Sequence, residues 1–221
     1  MSTVVVVGAS RGIGLELARA WGARGERVIA VTRGTAPALD GLDGVEPLSG
    51  IDVTSDEGIE RLASALGGVS IDVLCHCAGV WRDEQLGAVD AETLREQFEV
   101  NAIAPLRVCD ALRHRVADGG RIALITSRMG SIADNDSGGR YGYRMSKAAL
   151  NAAGRSLAVD LAPRAIAVGI LHPGFVRTDM TSGRGHLEPQ ESAAQLVQRV
   201  DELGPGNSGT FRHADGSELP W

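Results

Sequence analysis

The chain has 221 residues, 43% hydrophobic and 23% charged, with a formal net charge of −6. That length suits one α/β unit with a full core, and the acidic balance counts against a nucleic-acid partner, which needs a basic face. No apolar run approaches the roughly 20 residues a bilayer demands, and no basic segment precedes the short run Val4–Val7, so neither a membrane span nor a signal peptide is expected.

In chain order, apolar strands are expected at Thr3–Val7, Arg27–Thr32, Ile71–Cys75, Arg121–Thr126, Ala165–Leu171 and Thr210–His213. Their near-continuous Val/Ile/Leu/Ala content is that of strands covered on both faces. Helices are expected at Ile13–Ala23, Asp56–Leu66, Ala91–Val116 with a break near Asn101–Pro105, Gly142–Leu161 and Glu191–Leu203. Thr54 with Glu57 reads as a capping box at the start of the second. The Gly/Pro-rich segment Gly34–Gly50 reads as a surface loop with room for a short helix. Strand–helix alternation over the whole length predicts a single Rossmann-like, doubly wound parallel sheet with helices on both faces, spanning residues 1–221. Three cysteines form no disulfide framework and suit a reducing cytoplasm. Strand alternation points Cys75 and Cys77 to one face and His76 to the other, so no metal site is expected.

"GASRGIG" follows the first strand with Gly8, Gly12 and Gly14. A tight turn, close approach to a phosphate and close helix–strand packing each call for a residue without Cβ. The helix that opens there aims its N-terminal amides at an anion, which predicts a nucleotide site. At the end of the second strand, where an NAD site carries an acid, stand Thr32 and Arg33. Thr32 does not repel a 2′-phosphate and Arg33 can bind one, with Arg11 as a second nearby charge, which favours NADP(H) over NAD(H). Asp52 could accept from the adenine amino group.

The sequence resembles the short-chain dehydrogenase/reductase family nearly end to end. "GASRGIG" looks like its glycine motif, "CAG" its Asn-Asn-Ala-Gly turn, "EVNAIAP" its asparagine segment, "ITSRMGS" its serine, "YRMSK" its Tyr/Lys pair and "HPGFVRTDM" its Pro-Gly segment. The region "SRMGSIADNDSGGRYGYRMSKAALN" and the ending "DGSELPW" look like the subgroup of the bacterial C-factor protein and sniffer-type carbonyl reductases. The resemblance implies a catalytic set of Ser127, Tyr143, Lys147 and Asn101. It implies a cofactor site of Gly8, Ser10, Arg11, Gly12, Ile13, Gly14, Thr32, Arg33, Asp52, Val53, Ala78, Gly79, Pro173, Gly174, Val176 and Thr178. Two departures stand out. His76-Cys77 replaces the Asn pair, where His76 can tie the neighbouring strands only in part. Ser127 and Tyr143 are also further apart than usual, with "ADNDSGGR" as a polar insert.

The chain's two tyrosines, Tyr141 and Tyr143, fall together. Residues four apart on a helix differ by about 40° in azimuth, so Tyr143 and not Tyr141 shares a face with Lys147. An ammonium about 4 Å from the phenol would lower its pKa by roughly 3 units. Tyr143 is then the acid–base residue, Ser127 holds the reacting oxygen, Lys147 lowers the phenol pKa and bonds ribose hydroxyls, and Asn101 by resemblance holds a relay water. Thr178 and the backbone near Val176 would hold the carboxamide. Tyr141 could line the pocket, and Trp81 is either a pocket wall or core filler.

The short loop "SGRGHLEP" reads as a mobile lid over an open cleft. The expected activity is reduction of a small ketone or aldehyde, or oxidation of a secondary alcohol. The alternative is a C-factor-like nucleotide-binding signalling protein with a minor or dual enzymatic role. Family members pair through the helices matching Asn101–Val116 and Tyr143–Leu161, which implies a homodimer or homotetramer. Leu219-Pro220-Trp221 would pack on its own core or on a neighbour.

Overall fold

Four consecutive valines, Val4–Val7, leave the first strand no polar position, because both of its faces are covered. Val5 and Val7 join one apolar cluster, and Val4 and Val6 join the other. The clusters hold 22 and 20 buried residues, so the two faces are sealed almost equally. The computed structural model describes residues 1–221. Its elements in order are β1 (Thr3–Val7), α1 (Gly12–Ala23), β2 (Arg27–Val31), β3 (Val45–Leu48), α2 (Asp56–Leu66), β4 (Ile71–His76) and α3 (Ala91–Phe98). Then come α4 (Ala104–Leu112), β5 (Val116–Ile125), α5 (Tyr141–Asp160), β6 (Ala167–His172), α6 (Pro189–Asp201) and β7 (Phe211–His213). All seven strands form one sheet in the order β3-β2-β1-β4-β5-β6-β7, every pair parallel. Leu62 and Leu66 of α2, Val108 and Leu112 of α4, and Leu150 of α5 cover one face. Leu17 and Trp21 of α1 and Leu196 and Val200 of α6 cover the other. This is the doubly wound Rossmann-like sheet that the alternation predicts. No helix is long and apolar enough to cross a membrane.

Strand order reverses between β1 and β4, and in such sheets a crevice opens at the carboxyl ends of the strands on either side of that point. The glycine turn leaves β1 there, and the Cys77–Gly79 turn leaves β4.

Four local expectations change. Gly34–Gly50 is not all loop, because Val45–Leu48 adds strand β3 at the sheet edge. The strand is short and holds Pro47, which hides it from a propensity reading. Val28 and Thr32 donate to the carbonyls of Gly44 and Leu48, so alternation turns Pro47 to the open edge, where its missing N–H costs nothing. The cap of α2 is Ser55, whose hydroxyl accepts from Gly58 N at 3.0 Å. Thr54 instead donates to Asp52 Oδ1. The third helical stretch stops at Leu112, and Val116 begins β5. Near Asn101 the helix does not break but widens into one π turn, Glu99–Ile103, between α3 and α4. Such turns re-aim side chains at functional sites.

Candidate active site

At the end of β1, Gly8 has φ +88, and a Cβ there would strike the Ala78 backbone. Gly14 packs so closely that a Cβ would overlap the Gly8 carbonyl. Gly12 begins α1 with φ +57 beside the Thr178 side chain. Arg11, at the cap position, makes no side-chain cap bond, and the first turn holds no acid. The amides of that turn therefore face the crevice without an internal anion, which fits a phosphate-bearing cofactor. Ser10 is half-buried in the turn, and Ile13 lines the adjoining cavity. Arg11 itself is not a free charge, since it pairs with Asp179 at 3.1 Å across the crevice mouth.

Thr32 is buried, and its hydroxyl donates to the Gly34 carbonyl at 2.7 Å, so it shapes the turn after β2. Arg33 next to it is exposed. The Thr54 hydroxyl and amide hold Asp52 below its ordinary value, and the Arg33 charge adds to this. Val53 belongs to the core, which leaves only its main chain for a ligand.

Across the crevice, Cys77 N and Ala78 N both donate to the Val7 carbonyl, at 2.8 and 3.0 Å. His76 does not take over the missing asparagine's role: its Nε2 is buried without a partner. Burial and the Lys147 charge push His76 down to about 3, so it is neutral. Main-chain bonds tie β4 to β1 instead. Burial raises the Cys77 thiol to about 12, against an opposing pull from Lys147. Asn101 then clamps the next residue, accepting from Val80 N at 2.8 Å and donating to Val80 O at 2.9 Å. Its second amide proton goes to Ser146 Oγ at 3.0 Å. Beside it, a Cβ on Gly79 would lie 3.2 Å from Asn101 Oδ1 and 3.7 Å from Lys147 Nζ.

Ser127 follows the end of β5, and its Oγ accepts from Met129 N. Helix α5 crosses directly over this turn, since a Cβ on Gly130 would meet the Lys147 backbone at 2.7 Å. Thr126 fixes the crossing by donating to Asn151 Oδ1 at 2.6 Å. The inward stripe of α5 is Tyr143, Ser146, Lys147, Leu150, Asn151 and Gly154, the spacing of one helix face. Tyr143 thus comes to the same cavity wall as Ser127, and the Ser127 side chain is close enough to act on the phenol. Lys147 Nζ lies 5.9 Å from the centre of the Tyr143 ring. Burial dominates the electrostatics. It pushes the phenol up to about 12, with the Ser127 side chain pulling the other way. It pushes the Lys147 ammonium down to about 8. The expected lowering of the phenol by Lys147 is therefore not what the protein alone produces, because the ammonium is turned to the Ile125 carbonyl at 2.9 Å.

A cavity of about 320 Å³ opens here, lined by Ser127 and Tyr143 on one side and Ile13, Pro173, Gly174, Val176 and Thr178 on the other. Trp81 is a wall of it, stacked on Tyr143 with ring centres 5.7 Å apart. Tyr141 is not part of the lining, because the first turn of α5 carries it to another azimuth. The segment expected as a free lid is strapped down: His186 N donates to Phe175 O at 2.7 Å and Arg177 N to Leu187 O at 3.0 Å. Trp221 packs on Phe211 of its own chain, with ring centres 5.5 Å apart, and its carbonyl accepts from Ala133 N.

Sequence reasoning missed Glu84 and Gln97. Both are buried and joined by a hydrogen bond, Gln97 Oε1 accepts from Arg82 N at 2.9 Å, and Glu84 Oε2 accepts from Gly142 N at 3.2 Å. They fasten the Trp81 loop to the start of α5. An acid in a polar loop and a glutamine on a polar helix carry no periodic signal. Also missed was His172, which lines the cavity with Nδ1 buried and unpartnered.

The family model described as short chain dehydrogenase matches residues 2–188. The chain belongs to this family. Among short-chain dehydrogenases it is 43% identical over 232 aligned positions to 1-hydroxy-2-glutathionyl-2-methyl-3-butene dehydrogenase of Rhodococcus sp. strain AD45, covering all of both chains. It is 44% identical over 156 positions to C-signal of Myxococcus xanthus, covering 68% of this chain and 93% of that one. A carbonyl reductase from Pseudomonas aeruginosa PAO1, solved in complex with NADP, superposes with a TM-score of 0.88 at 37% identity over the whole of both chains. This short-chain dehydrogenase is accordingly an oxidoreductase of the carbonyl/alcohol type.

Proposed function

We propose that the chain is an NADPH-dependent carbonyl reductase, reversible as an alcohol dehydrogenase, for small ketones, aldehydes or secondary alcohols, with Tyr143 as general acid/base. One observation carries this reading: Ser127 and Tyr143 line one cavity together with Ile13 of the glycine turn, and Lys147 Nζ lies 5.9 Å from the Tyr143 ring centre. NADP(H) would be held by the turn from Gly8 to Gly14 at its phosphates, by Arg33 at the 2′-phosphate, by Ala78 and Gly79, and by the Pro173–Thr178 segment. When bound it supplies or accepts the hydride. The likeness to a reductase solved with NADP supports this cofactor.

The residues divide the remaining work. Ser127 and Tyr143 bind the carbonyl oxygen and orient it. In reduction Tyr143 gives that oxygen its proton, and a phenol held near 12 keeps the proton available at neutral pH. Lys147, pushed down to about 8, is poised to pass a proton back to the phenol. With its amide committed to Val80 and Ser146, Asn101 would enter a relay through its main chain. Trp81, Phe175 and Met180 would shield the reacting centre from water on the apolar part of the cavity.

The likeness to C-signal supports a second reading, a nucleotide-binding signalling role beside or instead of catalysis. The complete Ser127, Tyr143 and Lys147 set supports catalysis. As a homodimer or homotetramer in the cytoplasm, formed from one domain, the protein would bring α4 and α5 of two copies together.

The test is NADPH oxidation with a panel of small carbonyl compounds. Turnover is expected, falling by about 10²- to 10⁴-fold in Tyr143→Phe, the range of a lost general acid, and far less in Tyr141→Phe. Absence of turnover by folded protein across the panel sinks the reductase reading. A biological effect that survives Tyr143→Phe favours signalling.

A further inference from the structure

Each of the two residues placed at the reacting oxygen is followed in the chain by an arginine and a methionine: Ser127-Arg128-Met129 and Tyr143-Arg144-Met145. Both arginines line the same cavity as Ser127 and Tyr143. Arg128 spends its Nε on Asp134, and its terminal nitrogens make no hydrogen bond. Arg144 gives Nη2 to Ser137 Oγ at 2.8 Å, reaches Met129 O only at 3.5 Å, and keeps its Nε buried without a partner. A guanidinium has five donors in a planar fork suited to a carboxylate, so most of this capacity is unspent.

The local charges do not balance. Arg140, whose guanidinium lies 5.6 Å over the Trp81 ring, is the third cation at this mouth. The paired acids are Asp134, with Arg128, and Asp83, 3.5 Å from Arg140, while Asp136 is exposed and pairs with none of the three arginines. Glu84 is turned away into the start of α5. Burial first and Arg140 second pull the Arg144 pKa down, with Asp134 only partly opposing. Trp81, Met129, Phe175 and Met180 give the cavity its apolar lining, and Asp134 lines it with its charge taken by Arg128.

We propose that Arg128 and Arg144 form a carboxylate-binding pair, so that the preferred substrates are carbonyl compounds, or the matching alcohols, that carry a carboxylate a few bonds from the reacting carbon. The carboxylate takes the idle donors and supplies the missing negative charge, while the body of the substrate lies against the apolar walls. This rests on the reductase reading and names the substrate class of that site.

The experiment compares 4-oxo-4-phenylbutanoate with its methyl ester as substrates for NADPH oxidation. The acid is expected to have at least about tenfold the kcat/KM of the ester, as fits charge-assisted pairing. That ratio falls to about one in Arg128→Gln/Arg144→Gln, while Arg128→Lys/Arg144→Lys keeps part of it. If the arginines only tie down the 131–140 segment, acid and ester fall together and the ratio stays fixed, which overturns the proposal. An ester that is reduced with no preference for the acid overturns it too and leaves the reductase standing. If neither compound turns over, the carbonyl panel decides the reductase reading, and the pair is judged by calorimetry of 4-phenylbutanoate binding to the full chain with NADP⁺. Binding that weakens at least about tenfold in the glutamine double variant supports the pair, and binding that is absent or unchanged overturns it.

Discussion

Lys147 Nζ donates to the Ile125 carbonyl at 2.9 Å and stands 5.9 Å from the centre of the Tyr143 ring. The lysine is thus anchored to the strand that presents Ser127, and the phenol keeps its proton because burial outweighs the opposing pull of Ser127. Carbonyl reduction, which consumes the phenol form, is expected to keep a flat kcat/KM from about pH 6 to about pH 9. Alcohol oxidation, which needs the phenolate, is expected to rise with pH over the same span. A fall of the reductive rate near pH 8 would show the Lys147 proton, and not the phenol's, limiting reduction.

The same two groups shape stability in opposite directions. Lys147 is pushed from its ordinary value of 10.5 down to about 8, so the unfolded chain binds more protons between those values, and stability rises with pH through that window. Tyr143 is pushed up from 10.0 to about 12, so its contribution is present below 10 and lost as pH climbs toward 12. Urea midpoints measured across this range in the parent and in Lys147→Met should differ by loss of the rising limb. Parallel curves would remove Lys147 as its source.

Arg33 sits exposed after β2 where no carboxylate competes for a ribose. Arg33→Ala is expected to lower the preference for NADPH over NADH by at least about tenfold, the scale of one charged hydrogen bond. Steady-state kinetics with both cofactors measures it. A preference that survives the change would assign 2′-phosphate recognition elsewhere.

Asn101 holds Val80 at both its N–H and its carbonyl. Asn101→Ala leaves those half-buried groups unpaired, so it should cost about 1 kcal/mol. It should also loosen the Trp81 wall one residue on. Thermal unfolding and Trp fluorescence report the two effects, and an unchanged midpoint would mean that water replaces the amide without loss.

Much of the architecture could be read from local pattern alone. Val4–Val7, the glycines at 8, 12 and 14, and the four-residue spacing of Tyr143 and Lys147 depend on period and on the absence of Cβ, both properties of the chain itself. β3 escaped because Pro47 contradicts a strand until the edge position makes it harmless. The capping box at Thr54 was a matching pattern on the wrong residue, since Asp52 draws the Thr54 hydroxyl away. The Glu84–Gln97 pair, the idle nitrogens of Arg128 and Arg144, and the orientation of Lys147 toward Ile125 join residues far apart in sequence. So does the balance that holds the phenol up, because desolvation depends on what the fold packs around Tyr143, and no spacing along the chain encodes it.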